Sequence, residues 1–487
     1  MMNRFFLIFL FWVVFCLIIS SCKATLVSDP LPEYSGFSDP AAVSAFRSST
    51  TVRFDARAYE TQSVRPNQLL KDTSLVVTAS GGGVRAEAFT LGVLAGLEEL
   101  KFRTEEQTSS VLDEVDYFST VSGGGWGTLL YWAARNDAAA GDYSLVENQA
   151  QIEETVAELH ARESIFDAVG CLASRFSDQV SSVTLGSMFE SPKMPYLLAN
   201  GVVMPNHAPF VFSREFLQHY SVSQIFACGG DYRPEIESWR DVPLAYAIAV
   251  SSTVPGFQDA YALSRACRTD AMTGFRDSEL CQHGHYEHDL LNLADGGLYD
   301  NYGFETAMDV LSTVDTTRKV VIVIDAGINE ELSIDTEQRA YKWRTLRDIG
   351  SAPRQRRFRR TAQRQATAIG AKLIHLEFFD GAGEPPPDEP RYHSLRQMMI
   401  EMDGMVCWHP DSSIPDGPKS AKQPDRNTPW DRQPEDCRNN NAWRVGRGVK
   451  TSYRPHVPYH RALFALGRLV VARRAVEIRA ALGVQPA

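Results

Sequence analysis

The sequence predicts an α/β fold of three layers, with a central, mainly parallel sheet held between helices. Two strand-turn-helix units and one buried strand carry that prediction. Ser74 to Ala79 (SLVVTA) is an apolar run of strand length, and in Ala86 to Leu100 the residues Phe89, Val93, Leu94, Leu97 and Leu100 fall on one helical stripe. Val115 to Val121 reads as a second strand, after which Trp126, Leu129, Leu130 and Ala133 again share a helical face. Lys319 to Asp325 (KVVIVID) is apolar almost throughout, as expected of a strand covered on both faces in a parallel sheet. Strands that alternate with helices build such a layered sheet.

The 487 residues are 44% hydrophobic and 22% charged, enough for one large or two ordinary domains. Those proportions exclude collagen-like, low-complexity and disulfide-scaffold classes. A formal charge of -11 argues against nucleic acid as a partner. None of the eight cysteines forms a CxxC pair, so a structural zinc site has no support.

At the N-terminus, Met1 to Arg4 precede an unbroken apolar run from Phe5 to Ile19. Such a run reaches about 22 Å as a helix, short of a hydrocarbon core of about 30 Å, which fits a signal peptide better than a spanning helix. Ile19-Ser20-Ser21-Cys22 resembles a bacterial lipobox, in which the cysteine is lipidated and becomes the new N-terminus. A simple cleaved signal or an uncleaved anchor are the other readings. The expectation is an exported cell-envelope lipoprotein, membrane-anchored through Cys22. Because Lys23 rather than aspartate follows, the outer membrane is favoured in a Gram-negative cell. In an oxidising compartment Cys267 with Cys281, and Cys407 with Cys437, would close short loops; buried free thiols serve equally well, and the sequence leaves the pairing open.

Residues 1–22 are thus assigned to the signal and 23–70 to a tether rich in Ser, Pro, Thr and Asp. The catalytic core is expected over 71–330. From 331 to 445 the pattern loosens into an insertion or cap, interrupted by one strand at Ala371 to Phe379. Residues 446–487 are assigned to a closing segment, with an amphipathic helix over Tyr459 to Leu482. The Arg-dense stretch Arg354 to Arg364 reads either as a patch for anionic headgroups or as a solvated helix face.

Three glycine-rich turns carry the chemistry. Ser80-Gly81-Gly82-Gly83-Val84-Arg85 lies between a strand and a helix, where glycines let backbone N–H groups converge beside a helix N-terminus. No Gly-Lys-Ser/Thr follows, so an oxyanion hole is a better reading than a phosphate loop. Ser119-Thr120-Val121-Ser122-Gly123-Gly124-Gly125-Trp126 repeats the strand-turn-helix pattern and puts Ser122 where a sharp turn exposes a nucleophile; Thr120 stands where a GxSxG pattern has glycine. Ala294-Asp295-Gly296-Gly297-Leu298-Tyr299-Asp300-Asn301 presents a carboxylate at an uncrowded turn.

Together, GGGxR, SGG and DGG in that order resemble the patatin-like phospholipases, a family of lipid acyl hydrolases, over roughly residues 71 to 330. Ala249 to Phe257 (AVSSTVPGF) also resembles that family's small-residue helix and proline turn. The resemblance implies a Ser–Asp dyad without a catalytic histidine. Ser122 would attack an ester carbonyl, Asp295 would take its proton, and the amides of Gly81, Gly82 and Gly83 would hold the oxyanion. Arg85 would orient the glycine turn or meet a lipid phosphate, an ordinary surface arginine being the other reading. A membrane lipid is the expected substrate, with no cofactor, no metal and no protein partner.

Two other readings stand beside it. One is an α/β-hydrolase with a Ser–Asp–His triad, drawing on His375, His393, His409, His456 or His460, all of which follow Asp295. The other is a membrane-tethered binding protein on a decayed hydrolase fold, against which the intact Ser122, Asp295 and oxyanion glycines speak.

Overall fold

The computed structural model describes residues 53–56, 69–104, 107–137, 144–161, 183–191, 194–204, 207–220, 222–225, 238–254, 261–266, 291–327, 358, 361–377 and 457–487. The signal segment with Cys22, all eight cysteines, most of the tether, His393, His409, His456, the Pro255 turn, Arg354 to Arg357 and most of the 331–445 segment lie outside them. Among the described residues no helix is long and apolar enough to cross a membrane.

Among the described residues the first elements are β1 (Thr73–Ala79), α1 (Val84–Glu99), a hairpin of β2 (Lys101–Arg103) and β3 (Thr108–Ser110), β4 (Tyr117–Thr120) and α2 (Gly123–Asp137). After α3 (Gln149–Ala161) and α4 (Leu185–Glu190) come β5 (Tyr196–Val203), β6 (Ala208–Val211), α5 (Arg214–His219) and β7 (Val222–Gln224). Then follow α6 (Leu244–Ser251), β8 (Tyr261–Ala266), β9 (Leu291–Asp295), α7 (Phe304–Thr313) and β10 (Arg318–Asp325). The last elements are β11 (Ala371–Glu377), α8 (Val457–Arg473), α9 (Ala475–Leu482) and β12 (Gln485–Pro486).

Nine strands form one sheet in the order β11-β10-β1-β4-β5-β9-β8-β7, with β6 added on β5. From β11 to β5 every pairing is parallel; β9, β8, β7 and β6 continue it antiparallel. The three strands read from the sequence are β1, β4 and β10, and each appears within two or three residues of its expected bounds. Every residue of β1 and of β4 is buried, so both faces of the sheet centre are covered, which accounts for runs without polar alternation. The order of connection reverses at β1, which has β4 on one side and β10 on the other. In open α/β sheets the carboxyl ends of the strands at such a point form a crevice where ligands bind.

Two features of the C-terminal third differ from the sequence expectation. β11, expected inside an inserted cap, pairs with β10 from Lys319↔Ala371 to Asp325↔Glu377 and so belongs to the central sheet. Its two fully buried side chains, Ile374 and Leu376, are spaced by two, a strand signal that is silent about which sheet receives it. The closing helix is two helices, broken at Arg474, whose N–H is shared between the carbonyls of Val470 and Val471 at 3.1 Å each. α8 lies directly on α1, and the backbones touch at Gly92, where an added Cβ would stand 2.1 Å from the Phe464 carbonyl oxygen. Gly92→Ala therefore has no room without separating the helices. It is expected to lower stability by about 1–3 kcal/mol or more, read as a shift in the urea unfolding midpoint.

Candidate active site

The first two glycine turns emerge side by side because β1 and β4 are parallel neighbours whose last residues, Ala79 and Thr120, are paired. Ser122 follows β4 by two residues and caps the entry to α2: its carbonyl accepts from Gly125 N at 2.9 Å. Its φ is +50°, one of only two positive values at non-glycine positions among the described residues. A left-handed serine costs on the order of 1–3 kcal/mol and is kept only where its surroundings hold it. Gly123 explains the tightness of the turn, since a Cβ there would stand 2.0 Å from the Gly83 carbonyl oxygen. Thr120, the departure from GxSxG, is wholly buried and turns its hydroxyl toward the Leu198 carbonyl at 3.5 Å, so this elbow forms without the first glycine.

Asp295 reaches Ser122 through the sheet, across 173 positions of sequence. Thr120 pairs with Ala199 on β5, and two residues later on the same strand Gly201 pairs with Asp295 of β9. The aspartate is 6% exposed and the serine 5%. Asp295 Oδ1 accepts from Gly297 N at 2.7 Å, as the DGG pattern allows. Burial pushes its carboxyl from 3.8 up to about 6, while hydrogen bonds from the Gly297 amide and the Ser122 side chain pull the other way. No imidazole is among these partners. His375 instead contacts Asp325 Oδ2 through Nε2 at 3.0 Å, three strands away from β4, and His460 lies on α8.

The first turn divides its amides. Gly81 does not match the expectation that all three amides face an oxyanion: its N–H is donated to the Asn301 carbonyl at 3.0 Å, tying the first turn to the third. Gly82 and Gly83, at φ +152° and +62°, have amides with no acceptor among the described residues. Arg85 is 4% exposed, with Nη2 3.3 Å from where a Gly82 Cβ would be, so it backs the glycine turn.

Three residues that the motif reading passed over complete the site. Asn200 is buried in the otherwise apolar YLLANGVV run of β5; its Nδ2 donates to Ser119 Oγ at 3.0 Å and to the Thr120 carbonyl at 2.9 Å, and its Oδ1 accepts from Thr306 Oγ1 at 2.5 Å. Ser251 accepts the Ser122 N–H at 3.1 Å. Asn301 stands at the end of the third turn. The sequence signal for Asn200 was a lone polar residue in a buried strand, a pattern that demands partners but does not name them.

Among the described residues one set of donors could hold a cation: Asp325, His375 and Glu377, whose ligand atoms lie within 4.8 Å of one another at the ends of β10 and β11. It stands apart from Ser122 and Asp295, with β1 between β10 and β4. The contact of His375 with Asp325 is an ordinary imidazole–carboxylate hydrogen bond and accounts for that pair by itself.

Residues 77–308, from within β1 into α7, match the family model of patatin-like phospholipases. The chain carries a patatin-like phospholipase domain. No curated protein matches it. Among solved structures the chain matches human GIVD cytosolic phospholipase A2, at 13% identity and a TM-score of 0.40, over 92% of this chain and 67% of that one. The same enzyme in complex with methyl gamma-linolenyl fluorophosphonate and terbium chloride gives 15% and 0.41, over 91% and 64%. The chain thus spans about two thirds of the length of these human structures. The patatin-like domain contains all three glycine turns, Asn200 and Ser251, and its family supports lipid acyl hydrolase activity.

Proposed function

We propose that this patatin-like protein is a serine-dependent lipid acyl hydrolase of the phospholipase A or lysophospholipase type, working through a Ser122–Asp295 dyad. The observation that carries the reading is the pairing of a left-handed, buried serine at a strand-to-helix elbow with a buried carboxyl raised to about 6. A base is most effective when its pKa lies near the working pH, and an aspartate at its ordinary value would be a poor one.

In the proposed cycle Ser122 Oγ attacks the ester carbonyl carbon while Asp295 accepts the hydroxyl proton. Negative charge gathers on the carbonyl oxygen, and the Gly82 and Gly83 amides, beside the N-terminus of α1, are the donors that stabilise it. Collapse releases the alcohol or lysolipid, which takes the proton from Asp295. Water then attacks the acyl-serine, gives its proton to Asp295, and the fatty acid leaves as Ser122 recovers the proton. Arg85 supports the glycine turn from behind. Lipidation of Cys22, with export to the cell envelope, would hold the domain at the membrane that supplies its substrate.

The test uses an alkyl fluorophosphonate and phospholipid vesicles with the detergent-solubilised full chain. One equivalent of label on the peptide containing Ser122, together with fatty-acid release that stops on labelling, is expected. A folded protein that neither labels nor releases fatty acid would return the chain to the binding-protein reading.

A further inference from the structure

The strain at Ser122 and the position of Asp295 have a common support. The Ser122 amide donates to Ser251 Oγ at 3.1 Å, and the Ser251 hydroxyl proton is committed to the Asn200 carbonyl at 2.5 Å. The two bonds are compatible: the amide can only donate, Ser251 Oγ accepts it through a lone pair, and the bond to the Asn200 carbonyl orients the hydroxyl so that the lone pair faces Ser122. Two residues on, the Thr253 carbonyl accepts the Asp295 N–H at 2.7 Å. One short stretch at the end of α6 therefore grips the amides of both members of the dyad. Ser251, Ser252 and Thr253 are nearly or fully buried, and the hydroxyls of Ser252 and Thr253 donate to the Ile248 and Ala249 carbonyls of α6, at 2.9 and 3.3 Å.

The platform under this stretch is equally tied down. Asn200 supplies the carbonyl that orients Ser251, and its side chain links β4, through Ser119 Oγ and the Thr120 carbonyl, to Thr306 at the start of α7. Ser119 in turn donates to the Gly303 carbonyl at 2.7 Å. Moving the Ser122 backbone away from this geometry would weaken its bond to Ser251, and a buried amide left unpaired is costly.

We infer that Ser251 is a positioning residue for the dyad: its hydroxyl, oriented by Asn200, holds Ser122 at positive φ and, through the Thr253 backbone, sets the spacing between Ser122 and Asp295. The inference rests on the Ser122–Asp295 reading above. It also gives a reason for the split among the glycine amides. The Ser122 N–H is spent on Ser251 and the Gly81 N–H on Asn301, leaving Gly82 and Gly83 to face the carbonyl oxygen.

The experiment compares Ser251→Ala, which removes the acceptor, and Ser251→Cys, which keeps the shape but offers a weak one. Both are made in the full chain, beside the parent and Ser122→Ala. A displaced nucleophile costs about 10- to 100-fold. That loss is expected in kcat and in the rate of fluorophosphonate labelling, with KM within about two-fold of the parent and the unfolding midpoint of the Cys variant little changed. A folded Cys or Ala variant that labels and turns over within two-fold of the parent would overturn the inference, as would a loss confined to KM. Ser122→Ala separates this from a failure of the dyad: label retained there sinks the dyad itself, whereas label lost there and kept in the Ser251 variants sinks only the role of Ser251.

Discussion

Ser122→Ala is expected to take no fluorophosphonate and to lower fatty-acid release from phospholipid vesicles by about 10^4-fold or more, with the thermal midpoint unchanged. The fold should tolerate it. Alanine keeps the Cβ, the Ser122 amide bond to Ser251 is made by the backbone, and the α2 cap is a carbonyl contact. What is lost is the oxygen that hydrogen-bonds the Asp295 carboxyl and would attack the ester carbonyl. The residual rate would come from binding and from those amides alone. Because the dyad acts as a unit, a double variant with Asp295→Asn should be no slower than Ser122→Ala, rather than slower by the product of the two losses. Activity within ten-fold of the parent in Ser122→Ala would mean that another group is the nucleophile.

How much of this was readable in advance differs between elements. The central strands were legible because burial on both faces writes an apolar run into the sequence, as in Lys319 to Asp325. The turns at Ser122 and Asp295 were legible because their local geometry demands glycine: a Cβ at position 123 would lie 2.0 Å from the Gly83 carbonyl oxygen, and one at position 296 would lie 2.4 Å from the Asn200 carbonyl oxygen. Their partnership was legible only through a family resemblance, since the register that joins Thr120 to Ala199 and Gly201 to Asp295 leaves no trace in spacing along the chain. Gly81 looked equivalent to its neighbours because three glycines in a row conceal which amide is engaged by Asn301. Ser251 lies in the AVSSTVPGF segment, yet its role depends on a hydrogen bond to Asn200 that crosses 51 positions. Motifs report what a turn requires of its own backbone; they are silent about the support that arrives from other strands.

Asp295→Asn separates the base from the scaffold, and its effects on rate and on stability should have opposite signs. Asparagine can still accept from the Gly297 amide, but the amide group it turns toward Ser122 donates instead of accepting, so the hydroxyl has nowhere to send its proton. A loss of about 10^3- to 10^4-fold in kcat is expected. The parent's kcat should rise with pH through an apparent midpoint near 6, where Asp295 gives up its proton, and the variant's residual rate should lack that step. For stability the raised carboxyl works in reverse. Between 3.8 and about 6 the folded protein keeps a proton that the unfolded chain releases, so the parent is penalised as pH rises through that window. The full penalty above it is roughly 3 kcal/mol. The Asn variant carries no charge there, and at pH 8 it should melt a few degrees higher than the parent, the gap closing toward pH 4. Asp300, also raised to about 6 by burial, is present in both proteins and cancels in the comparison. A variant less stable than the parent at pH 8, or a parent whose rate is flat from pH 5 to 8, would show that Asp295 is not the buried base that its surroundings describe.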